Sequence, residues 1–252
     1  MTLLTLARDL KRRKARERNT RFVAEGVRAV EELVRSPIHL VGALVSPALI
    51  DTPRGAALLE SLRTTGVPLL EVADGDFTTA ASTDSPQGIL MVADIPQRDL
   101  SQLSFGDRTR ILVLDAVQDP GNVGTLIRTA AALGVAATLA MPETVDLWNA
   151  KVVRSAMGAL FRHSVLACTW QEFDAVRAVH RLSCWAADAA GESIDRVQGS
   201  GPIALVVGNE GAGISTEAQR RADRRVAIPI APDVESLNVA VAAGILLYQL
   251  RA

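Results

Sequence analysis

The chain of 252 residues is 48% hydrophobic and 22% charged, with a formal charge of −1 and a mean hydropathy of +0.20, which argues against disorder along its whole length. Its two cysteines, Cys168 and Cys184, lack CxxC spacing, and His39, His163 and His180 form no ligand pattern with them, so a disulfide framework or a structural metal is not expected. No apolar run approaches the roughly 20 residues of a membrane span, and the stretch before Arg8 is too short for a signal peptide, so a soluble protein of a reducing cytoplasm is expected.

In chain order, periodicity predicts a helix over 3–16, a strand over 21–25, a helix over 27–35 and a strand over 40–45. A helix over 54–64 and strands over 68–72 and 88–93 complete a first set. The opening segment carries an uneven share of charge. Between Arg8 and Arg21 lie eight basic side chains, among them Lys11, Arg12, Arg13 and Lys14, against Asp9 and Glu17. That is a net +6, leaving −7 on the rest of the chain. A cationic head on an anionic body suits a polyanion touching one end of the molecule; a solvated, salt-bridged helix is the plainer reading.

Residues 96–109 show no sustained period and read as a linker. A second set follows, opening with an aliphatic strand over 111–117, as expected of a strand buried on both faces. It continues with a helix over 122–133, a strand over 136–141, a helix over 149–160, a strand over 164–167 and a helix over 171–179. Strands over 181–186, 203–207 and 225–228 precede a final helix over 236–251. Alternation of this kind predicts two α/β domains, 1–95 and 110–252, with parallel pairing. The final helix has almost no polar face, so it must be covered on all sides, more easily by a second copy of the chain than by its own fold.

Three segments of the second set have loop chemistry that packing does not require. Asp119-Pro120-Gly121-Asn122-Val123-Gly124 follows a buried strand and opens a helix that carries Arg128. Gly208-Asn209-Glu210-Gly211-Ala212-Gly213 places three glycines in six residues after another apolar run. Ile228-Pro229-Ile230 leads through Ser236-Leu237-Asn238 into the last helix, where Ser236 is a candidate cap and Asn238 needs a hydrogen-bonding partner. Each lies at the carboxyl end of a predicted strand, where open α/β sheets place ligands.

In this order the three segments resemble the signature motifs of the SpoU (TrmH-like) branch of the SPOUT methyltransferases. The resemblance spans about 110–252. The stretches Phe22-Val-Ala-Glu25-Gly26 and Ser85-Pro86-Gln87-Gly88-Ile89 resemble the L30e-like substrate-binding domain often attached to that family. The resemblance implies a parallel sheet with a C-terminal trefoil knot, S-adenosylmethionine as cofactor and no metal. It also implies methyl transfer to a ribose 2′-OH of rRNA or tRNA, with rRNA favoured, by a homodimer packed through the C-terminal helix. Matched by position, Gly208, Ile228 and Leu237 hold the cofactor, while Asn122, Arg128, Glu210, Ser236 and Asn238 form the reaction site. Arg154 matches a further family position and is expected to bind RNA with Lys11, Arg12, Arg13 and Lys14. Met157 stands where a small residue is common.

Arginine is almost never deprotonated in proteins, so the expected role of Arg128 is a phosphate clamp and a fixed positive charge rather than a base. Two alternatives compete. A nicotinamide-dependent Rossmann enzyme would use the turn before Gly124 with Glu143 nineteen residues on, but GxGxxG is absent. A non-catalytic RNA-binding protein of the same fold would be favoured by loss of Asn122 or Arg128, and both are present.

Overall fold

The computed structural model describes residues 1–251. The chain forms two compact units, Met1–Gln97 together with Trp148–Arg162, and Arg98–Leu147 together with the chain from His163 onward.

The first unit is built on a four-stranded sheet in the order β1 (Arg21–Glu25), β4 (Ile89–Asp94), β2 (Leu40–Val45), β3 (Leu69–Glu71). Only β2 and β3 are parallel; β4 pairs antiparallel with both β1 and β2. The general expectation of parallel pairing therefore fails here. The reason is that β4, whose Ile89–Ala93 run is fully buried, returns late in the chain and inserts between two earlier strands.

The expected helix over 3–16 is two, α1 (Leu3–Asp9) and α2 (Arg13–Asn19). Arg12 takes an extended backbone between them. The carbonyls of Leu10 and Lys11, at this break, accept 2.7 and 2.9 Å hydrogen bonds from the guanidinium of Arg16, which is only 4% exposed. α3 (Val27–Val34) and α4 (Pro53–Thr65) follow the pattern, and α5 (Asp74–Ala80) was not expected.

A segment distant in sequence completes this unit. Phe22 of β1 is fully buried, with ring centroids 4.5 Å from Trp148 and 5.8 Å from Phe161. Between these rings, α7 (Ala150–Ser155) is shorter than the expected 149–160. Met157 and Gly158 take φ of +51° and +88° and turn the chain.

The second unit has a six-stranded sheet, parallel at every pairing. Its order is β10 (Arg224–Ala227), β8 (Ser183–Ser193), β9 (Ile203–Val207), β5 (Arg110–Leu114), β6 (Ala137–Ala140), β7 (Val165–Ala167). β5 and β9 are buried at every position, as central strands with both faces covered should be. Its helices are α6 (Pro120–Ala132), α8 (Trp170–His180), α9 (Thr216–Arg221) and α10 (Val239–Leu250). Within the expected linker, Leu100, Leu103 and Phe105 rest on the core of this unit.

Candidate functional site

Three loops leave the carboxyl ends of β5, β9 and β10. At the first, Asp119 caps α6 by accepting the Asn122 N–H at 2.8 Å, and Pro120 occupies the first turn, where no N–H is needed. Asn122 is thus released from the capping role that its place in the sequence suggested. Upstream, buried Asp115 accepts the Ser215 N–H at 2.6 Å and ties the end of β5 to the chain beyond the second loop.

The second loop closes on itself. Asn209 and Gly213 exchange backbone hydrogen bonds of 2.8 and 2.9 Å. The Asn209 side chain accepts the N–H groups of Gly211 and Ala212 and donates to the Ala116 carbonyl at 3.0 Å. A Cβ on Gly208 would lie 2.3 Å from the Gly213 carbonyl, so this glycine is required by the loop's own backbone.

In the third, Asn238 rather than Ser236 caps α10, accepting from Ala240 and Val241 N–H at 2.9 and 3.3 Å. Ser236 lies exposed two residues before the cap.

A single hydrogen-bonded chain joins the three. Glu210 accepts from the Asn122 Nδ2 at 3.0 Å and from the Asp119 and Gln118 N–H groups at 3.2 and 3.4 Å. Asn122 Oδ1 in turn accepts from the Asn238 Nδ2 at 3.0 Å. The two ends fix the direction of both amides. A carboxylate only accepts and backbone N–H groups only donate, so each Asn is left one orientation. Burial pushes the Glu210 carboxyl up, but hydrogen bonds from Asn122, Asp119 and Gln118 outweigh it and hold the group below the ordinary glutamate range. Glu210 is therefore ionised at neutral pH and orients Asn122.

Beside this chain opens a cavity of about 580 Å³, within the usual range for small-molecule sites. Gly208, Ile228, Leu237, Ser236, Glu210 and Asn238 line it. The three loops singled out in the sequence thus meet at one place, whereas Asn209, which holds the second one, and Asp119, the cap of α6, were missed. So were Asp188 and Glu235, which join Glu210 on the cavity wall. Among the described lining residues there are three carboxylates and no Lys or Arg. That wall suits a ligand carrying positive charge and gives no counter-charge to a dinucleotide pyrophosphate. The thiols of Cys168 and Cys184 are pushed up to about 12 by burial, which removes them as nucleophiles.

Arg128 is not brought into the cavity. It is exposed on α6, lines neither this cavity nor the neighbouring groove, and makes no hydrogen bond or ion pair among the described residues. The groove, of about 830 Å³, runs between α6 and α10 and is edged by Val241, Ile245 and Tyr248, which are 52%, 39% and 49% exposed. The all-round burial expected of the last helix is therefore incomplete within one copy of the chain.

The expected RNA contacts lie in the first unit. Arg12 pairs with Asp9, and Arg13 with Glu17 at 2.7 Å. Lys11 donates to the Thr79 and Ala81 carbonyls at 3.1 and 2.6 Å. Lys14 is exposed, with no hydrogen bond or ion pair among the described residues. Much of the basic run is thus held by internal partners. Arg154 sits on α7, and its Nη1 is buried without a hydrogen-bond partner among the described residues.

Comparison with known proteins places these features. Residues 109–248 match the model of the SpoU rRNA Methylase family, and residues 5–91 match the MRM3-like substrate binding domain. A Bacillus subtilis protein named 23S rRNA (guanosine(2553)-2′-O)-methyltransferase RlmP is 35% identical over 97% of this chain and 94% of its own length. A Xanthomonas campestris 23S rRNA (guanosine-2′-O-)-methyltransferase RlmB is 31% identical over 89% of this chain and 93% of its own. Among solved structures, the SpoU methyltransferase AviRb from Streptomyces viridochromogenes, in complex with its cofactor AdoMet, superposes with a TM-score of 0.89 at 25% identity. The alignment covers 99% of this chain and 97% of that one. An AdoMet-bound rRNA methyltransferase from Sinorhizobium meliloti gives 0.86 at 27% identity, covering 98% and 93%. With more than half of its length matched by the family model and relatives aligned nearly end to end, the chain belongs to the SpoU rRNA methylase family.

Proposed function

We propose that the chain transfers a methyl group from S-adenosylmethionine to a ribose 2′-OH of ribosomal RNA. The observation that carries the reading is the cavity at the three loops, walled by Asp188, Glu210 and Glu235 without a basic residue among its described lining. A sulfonium cofactor is cationic, and this wall is its electrostatic complement. Apolar Val226, Ile228, Leu237 and Leu246 supply flat surface for a purine. Gly208, Ile228 and Leu237 are the residues that would hold the cofactor, which supplies an electrophilic methyl when bound.

The protein's own part is positioning. A ribose hydroxyl is a weak nucleophile, so in-line placement supplies much of the rate. Glu210, ionised, orients Asn122, and Asn122 fixes Asn238 at the mouth of α10. Ser236 lines the same cavity. Arg128, exposed and with no partner among the described residues, offers its planar fork to the phosphate beside the target ribose. The active form is a homodimer closed over Val241, Ile245 and Tyr248 of α10, a reading supported by their exposure in the single chain. Among the described residues no helix is long and apolar enough to cross a membrane, and the site of action is the cytoplasm. The C-terminal trefoil knot belongs to the same reading.

The test is methyl transfer from labelled S-adenosylmethionine to rRNA from cells lacking the protein, followed by mapping of 2′-O-methyl positions. Arg128→Ala should lower single-turnover rates by roughly 10²–10³, the cost of losing a preorganised electrostatic interaction, with cofactor affinity kept. Arg128→Lys should rescue little. Label on a base, or wild-type turnover in Arg128→Ala, would overturn the respective assignments.

A further inference from the structure

Two cavities of the first unit meet at Arg154. One, of about 260 Å³, is lined by Arg28, Gln87 and Met157; the other, of about 650 Å³, by Lys11 and Lys151. Arg154 and Thr83 line both. Four cations thus border the pair. Of the two acids there, Glu25 is already engaged, its carboxylate accepting from the Ser82 and Thr83 N–H groups and the Thr83 hydroxyl. Asp84 borders only the wider cavity.

Arg154 is the unusual member. Its Nη1 is a buried donor with no acceptor among the described residues. A buried charged donor left unsatisfied is costly, so its persistence calls for an acceptor that arrives from outside. Lys11 is held in place at the cavity rim by two carbonyls, which leaves one of its three N–H donors for a ligand. The remaining lining is rich in hydroxyls, and neither cavity has an aromatic side chain among its described residues.

We propose that this paired cavity is a phosphodiester clamp, in which Arg154, flanked by Lys11, Lys151 and Arg28, grips the RNA backbone without reading its bases. The identity of the polyanion rests on the RNA reading above. Cations and hydroxyls suit phosphate oxygens, and a guanidinium takes two of them at once. The lack of an aromatic platform removes base stacking as the mode of capture. Phosphate contacts of this type fix register and orientation and carry no sequence information. The clamp therefore positions the substrate without selecting its sequence.

The test uses the full-length chain and unmodified 23S rRNA transcript, with binding measured across a salt series. Arg154→Gln should weaken binding about tenfold, and the log–log salt slope should become shallower by roughly 0.7–0.9 for each phosphate no longer neutralised. Arg154→Lys should keep the slope and lose part of the affinity. Arg28→Gln and Lys151→Gln, both at exposed positions, should each flatten the slope, and they decide the matter if Arg154→Gln does not fold. The same fold-change should appear with an unrelated transcript. Unchanged slopes in these variants, or an effect confined to one RNA sequence, would overturn the clamp. Calorimetry with S-adenosylmethionine keeps the two readings apart: a wild-type protein that binds no cofactor refutes the methyltransferase reading, while the salt slopes still judge the clamp.

Discussion

Gly208→Ala is the substitution whose outcome depends most directly on geometry. The new Cβ would sit 2.3 Å from the Gly213 carbonyl carbon and oxygen and 2.4 Å from the Ile214 nitrogen. Carbon atoms pack best near 3.5 Å or more, so the two backbones must separate by roughly 1.2 Å. No side chain can yield in their place. The Asn209–Gly213 bridge, at 2.8 and 2.9 Å, would then stretch beyond hydrogen-bonding range. Losing its two bonds costs about 1–3 kcal/mol, or several degrees of Tm at roughly 2–4 °C per kcal/mol for a unit of this size. Because Glu210 rides on the same loop, its hold on Asn122 goes with it. Gly208→Ala should therefore lower the thermal stability of the second unit, expose the Asn209 and Gly213 amides to hydrogen exchange, and abolish S-adenosylmethionine binding by calorimetry. A glycine kept only to let the cofactor approach predicts lost binding with stability and exchange protection intact. That result would refute the loop-closure argument.

The depressed pKa of Glu210 fixes the sign of a pH effect. A carboxyl whose folded pKa lies below its unfolded value stabilises the fold above the unfolded value, near pH 4.3, and loses that contribution as pH falls through the folded one. Glu210→Gln should thus destabilise at pH 7 and converge on wild type as pH falls below the folded value, as followed by thermal unfolding; an offset that does not change with pH would contradict the assignment. On α10, Ile245→Glu should leave the monomer folded, since Ile245 is 39% exposed. It should weaken self-association by about 1–2 kcal/mol, counting the still-exposed fraction of the side chain in both copies, roughly five- to thirtyfold in Kd. Sedimentation equilibrium reads this, and an unchanged dimer would move the interface elsewhere.

Long periodic elements were legible in the sequence, and so were the three loops, because glycine and asparagine clusters after aliphatic runs leave few other readings. What escaped has identifiable causes. α5 has the sequence Asp-Gly-Asp-Phe-Thr-Thr-Ala and buries only Phe77 and Ala80; six weak helix formers before a lone alanine, in so short a segment, give no measurable period. β8 was expected to end at 186, since Asp188 and Gly191 look like loop residues. In fact the strand continues to Ser193 through a register shift against β10, and a Cβ at Gly191 would meet the Arg225 backbone at 2.6 Å. Arg16 read as one more surface cation, although its guanidinium is spent on backbone carbonyls. The cap of α10 was misplaced by two residues because serine and asparagine are equally good N-caps. Only the bond to Asn122, distant in sequence, distinguishes Asn238.

The rings around Phe22 bear on how such a chain is inherited. The two family models meet the sequence as consecutive blocks, 5–91 and 109–248, as though a substrate-recognition cassette had been joined to a catalytic one. Yet Trp148–Arg162, from inside the second block, folds into the first unit and packs two aromatic rings on β1. Arg162 adds a 2.7 Å ion pair to Glu32 of α3. A cassette exchanged at residue 100 would arrive without Trp148 and Phe161, the rings that cover Phe22. Either the donor and recipient must already agree at Phe22 and Glu32, or the exchange must carry 148–162 with it as a second, unlinked piece. The two blocks are therefore not free to be exchanged independently of 148–162.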